Sequence, residues 1–252
     1  MSTELPLSGQ AAWVTGAASG IGRAIARELA AQGARVAVID VNAEAASAVA
    51  AEIRGVAVSC DVGDEASVGR AVRELEARLN APDILVNAAG ISLAEPVAAH
   101  TTANWQRVLN VNLSGPFYLI RAVLAGMMAR GHGRIVNITS ASAVRVGTGV
   151  AAYGSSKAGL IALTKSVANE AASHGVTVNA VAPGLVDTEM MRKVFGTTEA
   201  LEAMAKNSAI ANPIGRLLQP GDIAHAVAFL CHPRSWGITG QVLHVNAGAI
   251  MP

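Results

Sequence analysis

Short apolar runs alternate with longer helical patterns from one end of this chain to the other, and few folds accept that arrangement. Candidate strands fall at Ala11–Thr15, Arg35–Asp40, 57–61, 84–88, 134–139, 177–182 and 242–246. Between the first two, Ile21, Ile25 and Leu29 recur every four residues, and Gly33 follows as a helix C-cap. Further helices are read over Glu65–Leu79, 103–129 and 153–172. Strands separated by helices pair in parallel through right-handed crossovers. The predicted fold is therefore α/β, a Rossmann-type doubly wound parallel sheet of about seven strands in a single domain. Apolar residues make up 52% of the chain and aromatics only 3%, the small, branched core expected of a sheet covered by helices on both faces. No linker, repeat or low-complexity tract divides the 252 residues. The alternation breaks only at 187–213, a Met- and Ala-rich stretch expected to form an insertion past a strand's carboxyl end, where open α/β sheets bind ligands.

The first strand leads into the helix through Thr15-Gly16-Ala17-Ala18-Ser19-Gly20-Ile21-Gly22. Gly16 permits a tight turn, while Gly20 and Gly22 let the backbone approach a pyrophosphate at the helix N-terminus. A glycine turn can also be purely structural, but its place between strand and helix favours a dinucleotide. Asp40 ends the second strand eighteen residues after Gly22, where an acid binds the adenosine ribose hydroxyls and repels a 2′-phosphate. Ala17, Ala18, Ser19, Val41 and Asn42 supply no cation for such a phosphate, so the expected cofactor is NAD rather than NADP. Asp40 is alternatively a cap for the next helix.

Tyr153 and Lys157 lie four residues apart, hence on one face of a helix. An ammonium there stabilises the phenolate and lowers the tyrosine pKa from about 10, making Tyr153 a proton donor and acceptor near neutrality. Ser140, thirteen residues upstream, can hold the reacting oxygen; Ser142 is a nearby competitor.

Taken together these residues resemble the short-chain dehydrogenases/reductases, in their form of roughly 250 residues. The resemblance rests on the Thr15–Gly22 turn, Asn87-Ala88-Ala89-Gly90, Asn112, Ser140, Tyr153-x-x-x-Lys157, and Pro183-Gly184 with Thr188, and it runs on to 238–242. It implies that Tyr153 is the general acid/base, that Ser140 orients the substrate oxygen, and that Lys157 binds the nicotinamide ribose while tuning Tyr153. It implies further that Asn112 anchors a water in a proton relay, that Asp61 and Val62 contact adenine, that Asn87 lies beneath the adenosine ribose, and that Ala88 and Gly90 belong to the cofactor site. Val186 and Thr188 match positions that hold the carboxamide. Asn112 can equally be a polar residue interrupting a helix, Asn87 can satisfy buried backbone groups, and Asn179 reads as structural.

The resemblance implies an oxidoreductase moving a hydride between NAD(H) and a small-molecule secondary alcohol or ketone. Two alternatives stay open: a 3-oxoacyl-carrier-protein reductase, whose relatives use NADPH, and a catalytically silent NAD-binding regulator. Met190, Met191, Val194 and Phe195 read as an apolar lid or as ordinary packing, and Arg145 as an anion-binding group or an exposed loop charge. The net charge of +1, without a basic stripe, argues against nucleic acid. The six histidines form no metal pattern. Cys60 and Cys231 are isolated thiols, pointing to a reducing compartment. With no signal segment and no uncharged apolar run of about 18 residues, a cytoplasmic protein with no membrane partner is expected. Small residues on the long helices, Ala122, Ala125, Gly126, Ala158, Gly159, Ala162 and Ala168, leave a surplus apolar face, and the resemblance implies a homotetramer.

Overall fold

The computed structural model describes residues 5–145, 147–208 and 211–251. Seven strands form one sheet, parallel throughout: β1 (Ala11–Thr15), β2 (Arg35–Asp40), β3 (Val56–Ser59), β4 (Ile84–Asn87), β5 (Gly133–Ile138), β6 (Val176–Pro183) and β7 (Val242–Val245). Their spatial order is β3-β2-β1-β4-β5-β6-β7. The chain winds outward one way from β1 to β3, then returns to start the other half at β4. That reversal opens a crevice beyond the carboxyl ends of β1 and β4.

Alternate residues of each strand serve opposite faces. Val14, Val36 and Val38 pack with Ile25 and Leu29 of α1 (Gly20–Ala31), Val49 of α2 (Ala43–Ile53), and Val227 of α9 (Pro220–Cys231). Trp13, Ala37 and Ile39 pack the other way, on Leu75 of α3 (Glu65–Leu79), Leu119 and Met127 of α5 (Gly115–Arg130), and Val167 of α6 (Ala151–Ala171). The central strands β1, β5 and β6 are buried along their whole length, which is why they read as continuous apolar runs rather than alternating ones.

Strand and helix ends differ from the expected ones by one or two residues. Two differences are larger. Helix α2, expected after Asp40 only as the next helix and without bounds, has a sequence, AEAASAVAAEI, with alanine on every face and little period. Asn42 caps it, accepting a hydrogen bond from the Ala45 amide at 3.1 Å. The helix expected over 103–129 is three pieces: α4 (Thr102–Leu109), a π-helical turn at Asn110–Ser114, and α5. By length and hydropathy the continuous stretch Thr102–Arg130 would suit a membrane span, yet it packs against the sheet, α3 and α6.

The 187–213 segment forms α7 (Glu189–Phe195) and α8 (Thr198–Asn207) over a small separate core of Leu185, Leu201 and Ala205. Met191 packs on that core, whereas Met190, Val194 and Phe195 are exposed, so packing and an open apolar surface share the segment.

Candidate active site

The glycine turn closes on the crevice between β1 and β4. Gly16 adopts φ +63°, and a Cβ there would lie 2.7 Å from the Ala89 backbone. A Cβ on Gly22 would lie 2.1 Å from the Gly16 carbonyl oxygen, so the first turn of α1 is drawn directly onto the loop before it. Thr15 Oγ1 accepts from both Ala88 N and Ala89 N at 3.1 Å, joining the ends of β1 and β4. Ser19 sits at the N-cap without a side-chain cap bond, and the first turn of α1 holds no acidic residue. This N-terminus keeps free amide donors and a positive dipole end facing the crevice, the surroundings that suit a pyrophosphate. Ile21 is half-buried against the core behind the turn.

Asp40 reaches toward the same turn. Its carboxylate accepts from Ala18 N at 3.1 Å and from Asn42 N at 3.0 Å, fixing it beside the loop. The helix cap belongs to Asn42 instead, so the capping alternative for Asp40 does not hold. Beyond β3, Asp61 accepts from Gly63 N at 2.9 Å, and Val62 is buried beside Gly115 at the start of α5. Beyond β6, Gly184 lies against Asn246, Val186 pairs with Leu218, and Thr188 caps α7 through Met191 N. The Thr188 methyl is 3.6 Å from where a Gly20 Cβ would stand, which brings the Pro183–Thr188 segment and the glycine turn face to face. Asn87 donates to Asn137 Oδ1 at 2.8 Å, while its own Oδ1 is buried without a partner at the crevice floor. The cradle and this orphaned acceptor fit a nucleotide carrying hydroxyl donors.

The reactive side chains converge from three elements. Ser140 follows β5 in extended conformation, and its Oγ accepts from Ser142 N at 3.0 Å. That bond uses an acceptor site and leaves the Ser140 hydroxyl hydrogen free to be donated. Tyr153 projects from the first turn of α6, and a hydrogen bond with the Ser140 side chain identifies Ser140, not Ser142, as its neighbour. Lys157 is 3% exposed, its Nζ donating to the Ile138 carbonyl at 2.8 Å and lying 5.8 Å from the Tyr153 ring centroid. A Cβ on Gly90 would stand 3.3 Å from Lys157 Nζ and 3.4 Å from Asn112 Oδ1, so glycine there lets three segments meet.

Asn112 lies inside the π turn, a register change that helices frequently carry at functional sites. Its Oδ1 accepts from Ile91 N at 2.9 Å, and its Nδ2 donates to Ile91 O at 2.9 Å and Ser156 Oγ at 3.0 Å. Ser156 in turn donates to the Tyr153 carbonyl at 2.7 Å. Ser156 and the Asn137–Thr164 pair beneath Asn87 escaped the sequence reading. The signal for Ser156 was present, a small hydroxyl next to Lys157 on the face that packs inward. Thr15 was read only as part of the turn, yet its hydroxyl joins the two strand ends.

Electrostatics differ from expectation at one point. Burial pushes the Tyr153 phenol above its usual value of 10, opposed only in part by its side-chain hydrogen bond with Ser140, so the lowering expected from Lys157 is not found. The lysine is itself buried, which brings its pKa from 10.5 down to about 8, and its Nζ is held by the Ile138 carbonyl. Asn179 is structural, bridging Ile238 O and Gln241 N. Arg145 is exposed, with a long 3.5 Å contact to the Ala249 carbonyl.

A family model described as enoyl-(acyl carrier protein) reductase matches residues 16–249. The 3-oxoacyl-acyl-carrier-protein reductase of Escherichia coli is 40% identical over 246 residues, covering 96% of this chain and 98% of that protein. Sorbitol dehydrogenase of Cereibacter sphaeroides is 38% identical over 250 residues, covering 96% and 98%. A solved structure described as a short chain dehydrogenase/reductase family protein superposes with a TM-score of 0.87 at 37% identity, covering 97% of this chain and 98% of that one.

Proposed function

Since the chain belongs to the short-chain dehydrogenase/reductase family of oxidoreductases, we propose that it is an NAD(H)-dependent enzyme interconverting a secondary alcohol and a ketone. The observation that carries this reading is the meeting of Tyr153, Lys157 and Ser140 beside the crevice at the β1–β4 reversal. When bound, the nicotinamide supplies the hydride to the carbonyl carbon or takes it back.

The remaining chemistry falls to the chain. Ser140 donates its free hydroxyl hydrogen to the carbonyl oxygen and holds it beside Tyr153. As negative charge grows on that oxygen, Tyr153 transfers its phenolic proton to it, forming the O–H bond of the alcohol. Lys157 holds a ribose hydroxyl beside the phenol. Asn112 ties the Ile91 loop to Ser156 and anchors the water through which the proton is replaced. In oxidation every transfer reverses.

Asp40 supports NAD(H). A carboxylate fixed over the glycine turn accepts hydroxyls of the adenosine ribose and repels a phosphate on it. The second reading is an NADPH-dependent 3-oxoacyl-carrier-protein reductase, favoured by the 40% identity to the Escherichia coli enzyme. Calorimetric titration with NADH and NADPH separates them: we expect NADH to bind appreciably tighter, and tighter NADPH binding would overturn the NAD assignment. A ketone panel assayed with both cofactors tests the activity itself, and complete silence across it would favour a cofactor-binding regulator.

A further inference from the structure

A line of buried polar side chains runs from the end of β4 across β5 into the middle of α6. Asn87 and Asn137 stand opposite each other on paired strands, and Thr164 lies over Asn137. All three are no more than 1% exposed, so solvent does not compensate a poor pairing among them. Asn87 Nδ2 donates to Asn137 Oδ1 at 2.8 Å, and Asn137 Nδ2 donates to Thr164 Oγ1 at 2.9 Å. Thr164 Oγ1 donates in turn to the Leu160 carbonyl at 2.7 Å.

Every link points the same way, and the direction is set at Thr164. A hydroxyl has one hydrogen. With that hydrogen given to Leu160 O, Thr164 meets Asn137 only as an acceptor. The Asn137 amide is thereby turned with its NH2 toward α6 and its oxygen toward β4. Asn87 donates to that oxygen, and its own Oδ1 is left over as an acceptor. Of the polar atoms on these three side chains, Asn87 Oδ1 is the one buried without a partner. Were the threonine hydrogen given to Asn137 instead, both amides would turn over and Asn87 would present hydrogens in place of that oxygen.

Resting on the cofactor-dependent reading above, we infer that Thr164 is a positioning residue for cofactor binding: through Asn137 it holds Asn87 as a hydrogen-bond acceptor for one hydroxyl of the adenosine ribose. Asp40 at the end of β2 and Asn87 at the end of β4 flank β1, so two acceptors meet the two hydroxyls from either side of the glycine turn. Asp40 acts at the 2′ position, where NADH and NADPH differ. Asn87 takes the 3′-hydroxyl, which both carry.

The test separates the hydroxyl of Thr164 from its methyl group. Thr164→Val keeps the shape and removes the hydroxyl, whereas Thr164→Ser keeps the hydroxyl and removes the methyl. In calorimetric titration Thr164→Val should bind NADH, NADPH and ADP-ribose each about fivefold to tenfold more weakly than the parent, the effect of about one lost hydrogen bond. The ratio of NADH to NADPH affinity should stay at the parent value, unlike that of Asp40→Ala. Thr164→Ser should keep parent affinity for all three, although loss of a buried methyl lowers its melting temperature. Thr164→Ala, which also lacks the hydroxyl, gives the same comparison should Thr164→Val fail to fold. Equal weakening in the serine variant, or parent affinity in the variants without the hydroxyl, would overturn the role of Thr164 and leave the oxidoreductase reading intact. Binding of none of the three ligands by the parent would sink both.

Discussion

At Tyr153 and Lys157 burial acts in one direction, toward the neutral form of each group. It raises the phenol above 10 and lowers the ammonium to about 8. Tyr153→Phe keeps the packed ring and removes the transferable proton. Its turnover should fall about 100- to 10,000-fold with cofactor affinity nearly unchanged, as steady-state rates and titration will report. A variant retaining most of the rate would move the proton-transfer role elsewhere, Ser140 first. Lys157 also makes a stability prediction whose sign follows from its depressed pKa. Below about pH 8 the ammonium is charged in both states, and the folded protein bears the full cost of burying it. Between about 8 and 10.5 the unfolded chain binds the proton that the folded one has lost, so this cost is relieved as pH rises. The isosteric Lys157→Met removes the titration, and its loss of the Ile138 contact is independent of pH. The melting temperature of Lys157→Met relative to the parent should therefore be most favourable below pH 8 and decline toward pH 10. A difference that stays level or climbs would contradict the burial argument.

Among the elements, the β1–turn–α1 unit depends on the absence of a side chain at Gly22. Alanine there would drive its Cβ to 2.1 Å from the Gly16 carbonyl, and neither backbone segment can yield without opening the turn. Gly22→Ala should cost about 1–3 kcal/mol in urea unfolding and weaken the binding of either cofactor. Gly221→Ala, at a helical glycine with open space around it, serves as the control and should leave both measurements within about 1 kcal/mol of the parent. Asp40, at the tip of β2, makes a different kind of contribution. Asp40→Ala frees Ala18 N and removes the carboxylate from the turn, so NADH should bind more weakly and the preference over NADPH should shrink. An unchanged ratio of the two affinities would remove Asp40 from cofactor selection.

For the whole molecule, the outer surfaces of α5 and α6 are the open question of assembly. Ala122, Ala125, Gly126, Ala158 and Ala162 are exposed, and Phe117 is 42% exposed beside a shallow groove formed with Leu113, Ser114, Tyr118 and Leu163. Ala168, counted with them from sequence, instead faces the sheet core. Small residues on two adjoining helices allow close approach of an identical pair across a two-fold axis, and closed two-fold pairing builds tetramers. We propose a homotetramer. Light scattering at micromolar concentration should give about four times the chain mass. Phe117→Asp, which puts a charge on this face, should shift the assembly to smaller species. A stable, active monomer would refute the assembly.

The parallel sheet, the glycine turn, Asp40 and the Ser140–Tyr153–Lys157 set were legible in the sequence because each depends on local spacing. A buried parallel strand must be an apolar run, a close approach needs glycine, and an i, i+4 pair shares a helix face wherever the helix lies. The π turn at Asn112 was not legible, since its register change is held by Ile91 and Ser156, twenty-one and forty-four residues away. Nor was the state of Lys157, whose pKa follows from burial beneath other elements and from a carbonyl on β5. The bounds of helix α2 hid because alanine on every face carries no period; only contact with the sheet gives it an inside. Local chemistry thus determined which groups this chain possesses, while packing between distant segments decided which of them are desolvated, and so which protonation states and contacts they hold.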